Sequence, residues 1–257
     1  MLRPRVIPCL LVKDRGLVKT VGFDKPTYVG DPINAVRIFN EKEVDELIVA
    51  DIDATSEGRE PDYKMIENLA AECRMPLCYG GGVNTVEQMH RIVGLGVEKV
   101  ALGAAVFEKP DLIAQAADEI GSQSVVAVLD IRKKRKGYEV FVRNGTRSTG
   151  ESPFEAAQRI QECGAGELLI NSIDRDGEMK GYDVDLAGDL HKLVSIPFTF
   201  LGGAGSLDHM RELLTRCGLI GAAAGSLFVF KGQYRAVLIN YPSRADKAGL
   251  FDAVGAN

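Results

Sequence analysis

One carboxylate in the sequence stands at the end of a strongly apolar run. Asp130 follows residues 125–129, which are all β-forming or small apolar residues, so a parallel strand there would carry this acid at its carboxyl end. A carboxyl group in that position is a candidate general acid or general base. The alternative is that Asp130 only caps the turn before Lys133, and Asp51 and Asp176 compete for the same chemical role.

Glycine-rich segments could bind phosphate groups. Residues 80–82 are three glycines and residues 202–205 read Gly-Gly-Ala-Gly, and a helix-type sequence follows each of them. Glycine lets backbone N–H groups approach an anion at the start of a helix. Small residues at 224–226 and the pair Asp176-Gly177 follow other apolar runs. These glycines could instead serve only to make tight turns.

The two predicted phosphate sites differ in their side chains. Ser226 offers a hydroxyl group after the last apolar run, whereas Gly103 and Ala104 stand at the corresponding place after the fourth run. The pair of sites suggests an elongated ligand with a phosphate at each end. The first site, at Gly103, is predicted to be the weaker one.

Four charged residues precede or open apolar runs at their other ends: Arg5, Glu46, Lys99 and Glu167. In a barrel these side chains can turn inward and close the base with two positive and two negative charges. Such a ring could be a stabilising network of salt bridges. It could also be a gate that a small polar solute passes on its way to Asp130. Spacing does not choose between the two.

The elements that must position these residues form a regular alternation. Segments with helical period separate the apolar runs, which predicts parallel strands with helices outside. The basic run at 132–136 reads as a solvated hairpin tip. Strands are predicted at 6–11, 47–51, 77–80, 100–103, 125–130, 168–171, 198–201 and 219–224, and helices at 32–39, 65–73, 86–93, 112–120, 154–163, 186–194 and 207–217.

The sequence also repeats internally. Residues 46–54 reappear as 167–175, and residues 80–91 are echoed by 202–211 at the same offset. Two four-stranded halves, about 1–121 and 122–257, therefore predict an α/β protein with one domain over 1–257, a (β/α)8 TIM barrel built from two similar half-barrels. An open, doubly wound sheet is the alternative fold.

Composition excludes several classes of protein. The net charge is −5 and the 31 basic residues are scattered, which argues against a nucleic-acid partner. No apolar run is long enough to span a membrane or to serve as a signal peptide, and the five cysteines have no CxxC spacing, so we expect a reduced, cytoplasmic protein. His90, His191 and His209 fall on predicted helices without spaced ligands, so neither a metal nor another cofactor is predicted.

Several of these segments resemble the cyclase subunit family of imidazole glycerol phosphate synthase. The resemblance lies in residues 5–14, 80–82, 172–177 and 202–205, and it extends from residue 3 to about 230. It implies a barrel that takes ammonia from a glutaminase subunit docked at its base. The ammonia crosses the barrel and is used at the top to cleave and cyclise a phosphoribulosyl formimino precursor. Under the resemblance, Arg5, Glu46, Lys99 and Glu167 are the ammonia gate.

The resemblance also implies roles at the other end of the barrel. Asp130 matches one of two catalytic acids, and Lys19, on the long first loop, resembles a substrate-binding lysine. The implied substrate and phosphate ligands are Asp51, Gly82, Gly103, Asp176, Gly177, Gly203, Gly225 and Ser226.

Departures from the family cluster at this end. Leu11 stands where the second catalytic aspartate is expected, and Gly103 and Ala104 replace polar residues of the first phosphate site. Asn171 and Leu201 replace smaller polar residues. This pattern, together with segments 225–232 and 236–242, resembles one branch of the family. Members of that branch are found with proteins of saccharide biosynthesis. Each member binds a glutaminase-like subunit and works with an N-acetyl sugar amidotransferase. That enzyme builds acetamidino sugars of surface polysaccharides such as lipopolysaccharide.

Three other functions remain open. The chain could be a working cyclase of histidine biosynthesis in which Asp130 carries both proton transfers or a water molecule replaces the absent acid. It could be the monomeric phosphoribosyl isomerase of the same barrel type, although Leu11 counts against that role and an isomerase needs no gate. It could also be a non-catalytic scaffold that binds a phosphorylated sugar. The sequence does not name the sugar acceptor, and it leaves the oligomeric state open beyond a heterodimer with the glutaminase.

Overall fold

The chain forms a closed barrel of parallel strands in a computed structural model that describes residues 3–252. Successive barrel strands pair in parallel, and the last pairs with the first, which closes the barrel. The strands are β1 (Arg5–Lys13), β2 (Gly16–Val21), β3 (Asp24–Gly30), β4 (Leu47–Asp51), β5 (Leu77–Gly80), β6 (Lys99–Leu102), β7 (Val125–Lys134), β8 (Gly137–Val142), β9 (Arg147–Ser148), β10 (Glu167–Ser172), β11 (Phe198–Leu201), β12 (Gly221–Ala224), β13 (Phe230–Lys231) and β14 (Ala236–Val237).

Eight of these strands make the barrel, in the order β1, β4, β5, β6, β7, β10, β11 and β12. The predicted (β/α)8 TIM barrel is therefore confirmed, and the open sheet is wrong. The division into half-barrels near residue 121 stays a prediction. The ends of the predicted domain, residues 1–2 and 253–257, lie outside the described residues.

Helices cover the outside of the barrel, and most begin at a side chain that caps them. Asp31, Asp62, Thr85, Ser152 and Ser206 each accept a hydrogen bond from a backbone N–H in the first turn of the following helix. The helices are α1 (Pro32–Glu41), α2 (Tyr63–Glu72), α3 (Val86–Gly94), α4 (Ala105–Glu108), α5 (Leu112–Ile120), α6 (Pro153–Glu162), α7 (Val184–His191), α8 (Leu207–Cys217), α9 (Ser226–Val229) and α10 (Arg244–Asp252).

Boundary predictions fail mainly where a turn follows a helix. Leu219 was predicted to open the last strand, but it is 56% exposed and the strand begins at Gly221. The reason is Gly218, whose positive φ of 74° ends α8 and turns the chain before the strand. Leu193 likewise lies beyond the end of α7 and is 40% exposed.

Side chains alternate along the barrel strands between the helices and the barrel interior. On β1, Val6 and Leu10 belong to the large core beneath the helices, whereas Ile7 and Cys9 belong to a second cluster inside the barrel. We call seven interior residues of this second cluster the apolar belt: Ile7, Ile48, Cys78, Ala101, Val126, Leu169 and Ala223.

Two antiparallel extensions rise from opposite sides of the barrel. β1 continues into β2 and β3, and β7 continues into β8 and β9. In these hairpins Leu11 faces Val18, and Asp130 faces Phe141. The basic run lies at the turn between β7 and β8, with Lys134 paired to Gly137, so the predicted hairpin tip is confirmed.

Overall, among residues 3–252, no helix is both long enough and apolar enough to cross a membrane. Within the same range, no group of three or more His, Cys, Asp or Glu side chains is arranged to hold a metal ion.

Candidate functional site

A cavity of about 330 Å³ opens at the carboxyl ends of the barrel strands, which we call the mouth. Cavities of this size accommodate small-molecule ligands, and the carboxyl ends of the strands are where barrels of this type carry their sites. Ten of the residues singled out in the sequence line it together: Leu11, Lys19, Asp51, Gly103, Asp130, Asp176, Gly177, Gly203, Gly225 and Ser226.

Gly82 is the predicted phosphate ligand that does not line the cavity. Its backbone N–H donates a hydrogen bond to Thr55 Oγ1 at 3.1 Å, so this donor already has a partner. Its neighbours Gly80 and Gly81 line the cavity instead. The pairing of this glycine with the hydroxyl group of Thr55, in the loop after the preceding strand, could not be recognised from the sequence.

Asp130 lies on the cavity wall next to an amide that the sequence did not pair with it. Asn171 Nδ2 donates a hydrogen bond to Asp130 Oδ1 at 3.1 Å, because the two residues are register partners on β7 and β10. Burial raises the pKa of Asp130 to about 7, while the Asn171 hydrogen bond works in the opposite direction and Asp176 adds to the rise. A carboxyl group with this pKa can both donate and accept a proton near neutral pH.

Replacing Asn171 by leucine is expected to raise the pKa of Asp130 above 7. The variant removes the side-chain hydrogen bond that favours the ionised carboxylate and keeps a similar volume. The carboxyl carbon resonance of Asp130, followed by NMR across a pH titration, measures this shift. Leu201→Val, on the next strand, is the control and should leave the midpoint in place. If the titration midpoint of Asp130 is unchanged or lower in Asn171→Leu, that result contradicts the assigned hydrogen bond between Asn171 and Asp130.

The wall opposite Asp130 is apolar. β1 and β7 lie on opposite sides of the barrel, and Leu11 lines the cavity from β1. Leu11, Val128 and Leu201 pack against the cluster inside the barrel. The mouth therefore has a carboxyl group on β7 and a hydrocarbon side chain at the equivalent point of β1, as the sequence predicts for Leu11.

Lys19 is almost completely buried at the mouth. Its Nζ donates a hydrogen bond to the Cys9 carbonyl oxygen at 2.6 Å, and 5% of the residue is exposed. Burial lowers the pKa of Lys19, because the ammonium group loses its hydration. It lies against the loop after β12, where a Cβ atom at Gly225 would be 2.5 Å from Lys19 Nζ. A side chain at 225 would therefore displace the Lys19 ammonium group from this position.

Asp176 anchors the first hairpin to the mouth. Thr20 Oγ1 donates a hydrogen bond to Asp176 Oδ2 at 2.7 Å, and the Phe23 backbone N–H donates to the same oxygen at 3.2 Å. Burial raises the pKa of Asp176, and these two hydrogen bonds oppose that rise. Asp176 therefore positions the strand that carries Lys19 in addition to lining the cavity.

The loop after β11 requires glycine where it passes the next loop. Gly203 has a φ of 107°, and a Cβ there would lie 2.1 Å from the Gly181 carbonyl oxygen. The Gly181 N–H donates to the Gly203 carbonyl oxygen at 2.8 Å. The backbone can approach a ligand at this point because no side chain intervenes.

Asp51 organises its own loop as well as lining the cavity. Its Oδ1 accepts hydrogen bonds from the backbone N–H groups of Asp53 and Ala54 at 3.2 and 3.1 Å. Arg59 lies 3.5 Å from the other carboxylate oxygen. These partners satisfy both oxygens of Asp51, so the structure gives it no proton-transfer geometry comparable to that of Asp130.

The four charged residues at the base meet in one network, which we call the charged ring: Arg5, Glu46, Lys99 and Glu167. Lys99 Nζ contacts Glu46 Oε1 at 2.9 Å and Glu167 Oε2 at 2.8 Å. Arg5 Nη2 contacts Glu167 Oε1 at 2.8 Å, and its Nη1 contacts Glu46. Thr199 donates a further hydrogen bond to Glu167 at 2.6 Å.

The cations of the charged ring face solvent and the carboxylates lie behind them. The Arg5 and Lys99 side chains are 26% and 18% exposed, against 4% and 5% for Glu46 and Glu167. Burial disfavours the charged form of Glu167, but Arg5 and Lys99 outweigh it and hold its pKa well below the usual range. Glu167 is therefore ionised near neutral pH, where its contacts with Arg5 and Lys99 hold the ring together.

The apolar belt separates the charged ring from the mouth. It contains the small side chains of Ala101, Ala223 and Cys78, and the ionisable groups of its cluster are the thiols of Cys78 and Cys9, whose pKa values burial raises. A charged solute would lose its hydration here, whereas a small neutral molecule would not pay an ionic desolvation cost. The interior therefore favours neutral over charged solutes.

Comparisons with known proteins agree with the resemblance in the sequence. The family model described as histidine biosynthesis protein matches residues 5–235. A Leptospira borgpetersenii protein named "Putative imidazole glycerol phosphate synthase subunit HisF" is 53% identical over 98% of this chain and 100% of its own length. A Vibrio vulnificus protein of the same name, ending in "hisF3", is 56% identical over 96% of each chain. The Streptococcus mutans "Imidazole glycerol phosphate synthase subunit HisF" is 38% identical over 89% of this chain and 91% of its own.

Proposed function

Since this chain belongs to the histidine biosynthesis protein family, as a HisF-like member, we propose that it is the synthase-type subunit of a glutamine amidotransferase complex. A glutaminase subunit docks at the base and releases ammonia there. The barrel conducts the ammonia to the mouth, and an N-acetyl sugar amidotransferase uses it to build acetamidino sugars of surface polysaccharide.

One contrast carries this proposal. The charged ring keeps all four members in contact, while the mouth has Leu11 in place of a second carboxyl group. Cleavage and cyclisation of the precursor need groups that give and take protons at several positions. Passage of ammonia needs only an entry and a path. The features that this chain retains are therefore those needed to conduct ammonia.

The residues act in sequence along the barrel axis. Ammonia meets Arg5 and Lys99 first, because these side chains are the exposed members of the ring. Displacing Lys99 from Glu46 and Glu167 opens an entry, and the apolar belt then admits the neutral molecule and disfavours ammonium. At the mouth, Asp130 and Asn171 offer polar groups to the emerging ammonia.

A second candidate function is the working cyclase of histidine biosynthesis. It is favoured by the pKa of about 7 at Asp130, because one carboxyl group could serve as acid in one step and as base in another. The names of the relatives agree with this function.

If the proposed function is correct, transfer of the glutamine amide nitrogen to the sugar product should depend on the charged ring. The chain, the glutaminase subunit from the same organism and the sugar amidotransferase are combined with glutamine labelled with ¹⁵N at the amide. Lys99→Met should reduce labelled product about 10-fold, because a ring that cannot close behind the ammonia lets it escape to solvent. Product formed from free ammonium by the acceptor enzyme should stay unchanged.

Lys64→Met is the matched control, since Lys64 lies on the exposed surface of α2 and pairs with Glu67 of the same helix. It should leave labelled product at the native level. The proposal is wrong if the chain binds no glutaminase subunit, or if labelled product is equally abundant without the chain.

A further inference from the structure

We propose that three residues beside the charged ring, Asp45, Tyr241 and Lys247, position it by fixing the backbone segments that carry Arg5 and Glu46. We call these three residues the base clamp. Its consequence for ammonia transfer rests on the proposed function, whereas the positions of its groups do not. The contacts that carry the proposal link α10, at the end of the described chain, to the first strand.

The lower end of β1 extends beyond its neighbour β4. The Arg5 N–H donates a hydrogen bond to the Ile220 carbonyl oxygen, on the β12 side, at 3.1 Å. Successive residues of a strand turn their backbone groups to opposite neighbours, so those of Val6 face the β4 side. β4 begins only at Leu47, which is closer to the mouth than Val6. Since Val6 is fully buried, its backbone groups need partners outside the strand ladder.

Two side chains of the base clamp supply these partners. Asp45 Oδ2 accepts a hydrogen bond from the Val6 N–H at 2.9 Å, and the Tyr241 hydroxyl group donates to the Val6 carbonyl oxygen at 2.8 Å. The same hydroxyl oxygen accepts a hydrogen bond from the Asp45 N–H at 3.2 Å. One tyrosine therefore ties the start of β1 to the segment that leads into β4.

Lys247 completes the network from α10. Its Nζ contacts Asp45 Oδ1 at 2.6 Å and lies 5.1 Å from the centre of the Tyr241 ring. The side chains of Lys247 and Asp45 are 11% and 10% exposed. The two carboxylate oxygens of Asp45 are thus bound by a backbone N–H and by an ammonium group. An ion pair shielded from solvent in this way is costly to break.

The residues that the base clamp holds adjoin two members of the charged ring. Val6 follows Arg5 directly, and Asp45 directly precedes Glu46. Arg5 in turn contacts Glu46 through Nη1 and Glu167 through Nη2. Charge-assisted hydrogen bonds form over a narrow range of distances, so movement of either backbone segment would weaken these contacts.

Glu46 depends most on the base clamp. It lies one residue before β4, whereas two other members of the ring are the first residues of β6 and β10 and pair with neighbouring strands. The segment before Glu46 takes its position from the bonds of Asp45 to Val6 and Tyr241. The base clamp therefore sets where the Glu46 carboxylate lies in the ring.

Tyr241→Phe tests the effect on the ring directly. The variant removes both hydrogen bonds of the hydroxyl group and keeps an aromatic ring beside Phe228. Hydrogen exchange of the Arg5 side chain with water, measured by ¹H–¹⁵N NMR at mildly acidic pH, reports how firmly the guanidinium group is held. It should become about 10-fold faster, because two hydrogen bonds that fix the backbone beside Arg5 are lost.

Lys247 provides a second, independent pair of variants. Lys247→Met removes the ammonium group from Asp45 and should also speed the exchange of the Arg5 side chain. Lys247→Arg keeps a cation beside Asp45 and should restore the native rate. Native exchange rates in both Tyr241→Phe and Lys247→Met would overturn the proposal, even if both variants unfold more easily.

Arg244→Met is the matched control, because Arg244 lies on the same helix and pairs with Glu43 on the exposed surface. It should change neither the exchange nor ammonia transfer. In the labelled-glutamine experiment, Tyr241→Phe should lower the labelled product per glutamine hydrolysed about 3-fold, while product from free ammonium stays at the native level. Undiminished transfer in this variant would overturn the consequence for conduction. The exchange measurement needs no partner, so it decides on the base clamp even if the native chain transfers no label.

Discussion

Leu11→Asp is expected to raise ammonium-dependent turnover of the phosphoribulosyl formimino precursor by about 100-fold or more over the native chain, since a positioned acid or base contributes about that factor. The new carboxyl group would stand on β1, opposite Asp130 across the mouth. Excess ammonium salt supplies the nitrogen directly, so the result does not depend on a glutaminase. The gain should lie in kcat, because the ends of the cavity that bind the ligand are unchanged.

The control for this substitution is Leu11→Asn, which has the shape of aspartate without its proton. It should leave turnover at the native level. If the native chain already converts the precursor as fast as Leu11→Asp, the chain is a working cyclase with one acid, and the conduction role loses its main support. If only the aspartate variant is active, the mouth retains the geometry of a cyclase and lacks one carboxyl group.

Glu167→Gln is expected to lower the free energy of unfolding by about 3 kcal/mol, the usual cost of breaking a buried ion pair. Glu167 accepts from Arg5, Lys99 and Thr199, and the variant leaves two partly buried cations to share Glu46 alone. Urea-induced unfolding at pH 7, followed by circular dichroism, measures the loss.

This effect should depend on pH with a definite sign. The folded pKa of Glu167 lies below its unfolded value of about 4.3, so its contribution is present above that pH and disappears as the pH falls toward the folded pKa. The difference between the native chain and Glu167→Gln should therefore shrink below pH 4. Glu72→Gln, which breaks the exposed pair with Arg37, is the control and should not shift the midpoint. An equal loss of unfolding free energy in Glu167→Gln and Glu72→Gln would contradict the stabilising role of the charged ring.

The barrel and the charged ring were predictable from sequence because both depend on periodicity. Apolar runs define the strands, and a residue that opens a strand on the interior side must point into the base of the barrel. Arg5 and Glu167 are far apart along the chain, yet the closure of the barrel brings them into contact. The missing acid was equally visible, because Leu11 and Asp130 end comparable apolar runs.

Pairings at the mouth were not predictable in the same way. Asn171 was noticed only as a departure from the family, and its bond to Asp130 follows from the register of β7 and β10. Lys19 was expected to bind substrate, but its burial against Gly225 depends on how the first hairpin folds over the mouth. Gly82 failed as a cavity residue because a distant hydroxyl group occupies its N–H. Such contacts depend on the geometry of loops, which no hydrophobic periodicity in the sequence predicts.

The first hairpin also has an open edge, since β3 pairs with β2 alone within the described residues. Unpaired edge strands invite another chain to add a strand, and this one is exposed from Asp24 to Tyr28. Pro26 removes a backbone donor in its middle, and Asp24 and Lys25 place charges beside it. The strand that follows Lys19 is thus protected from intermolecular β-pairing. At high concentration the barrel can therefore stay free of edge-to-edge association at the hairpin that carries Lys19.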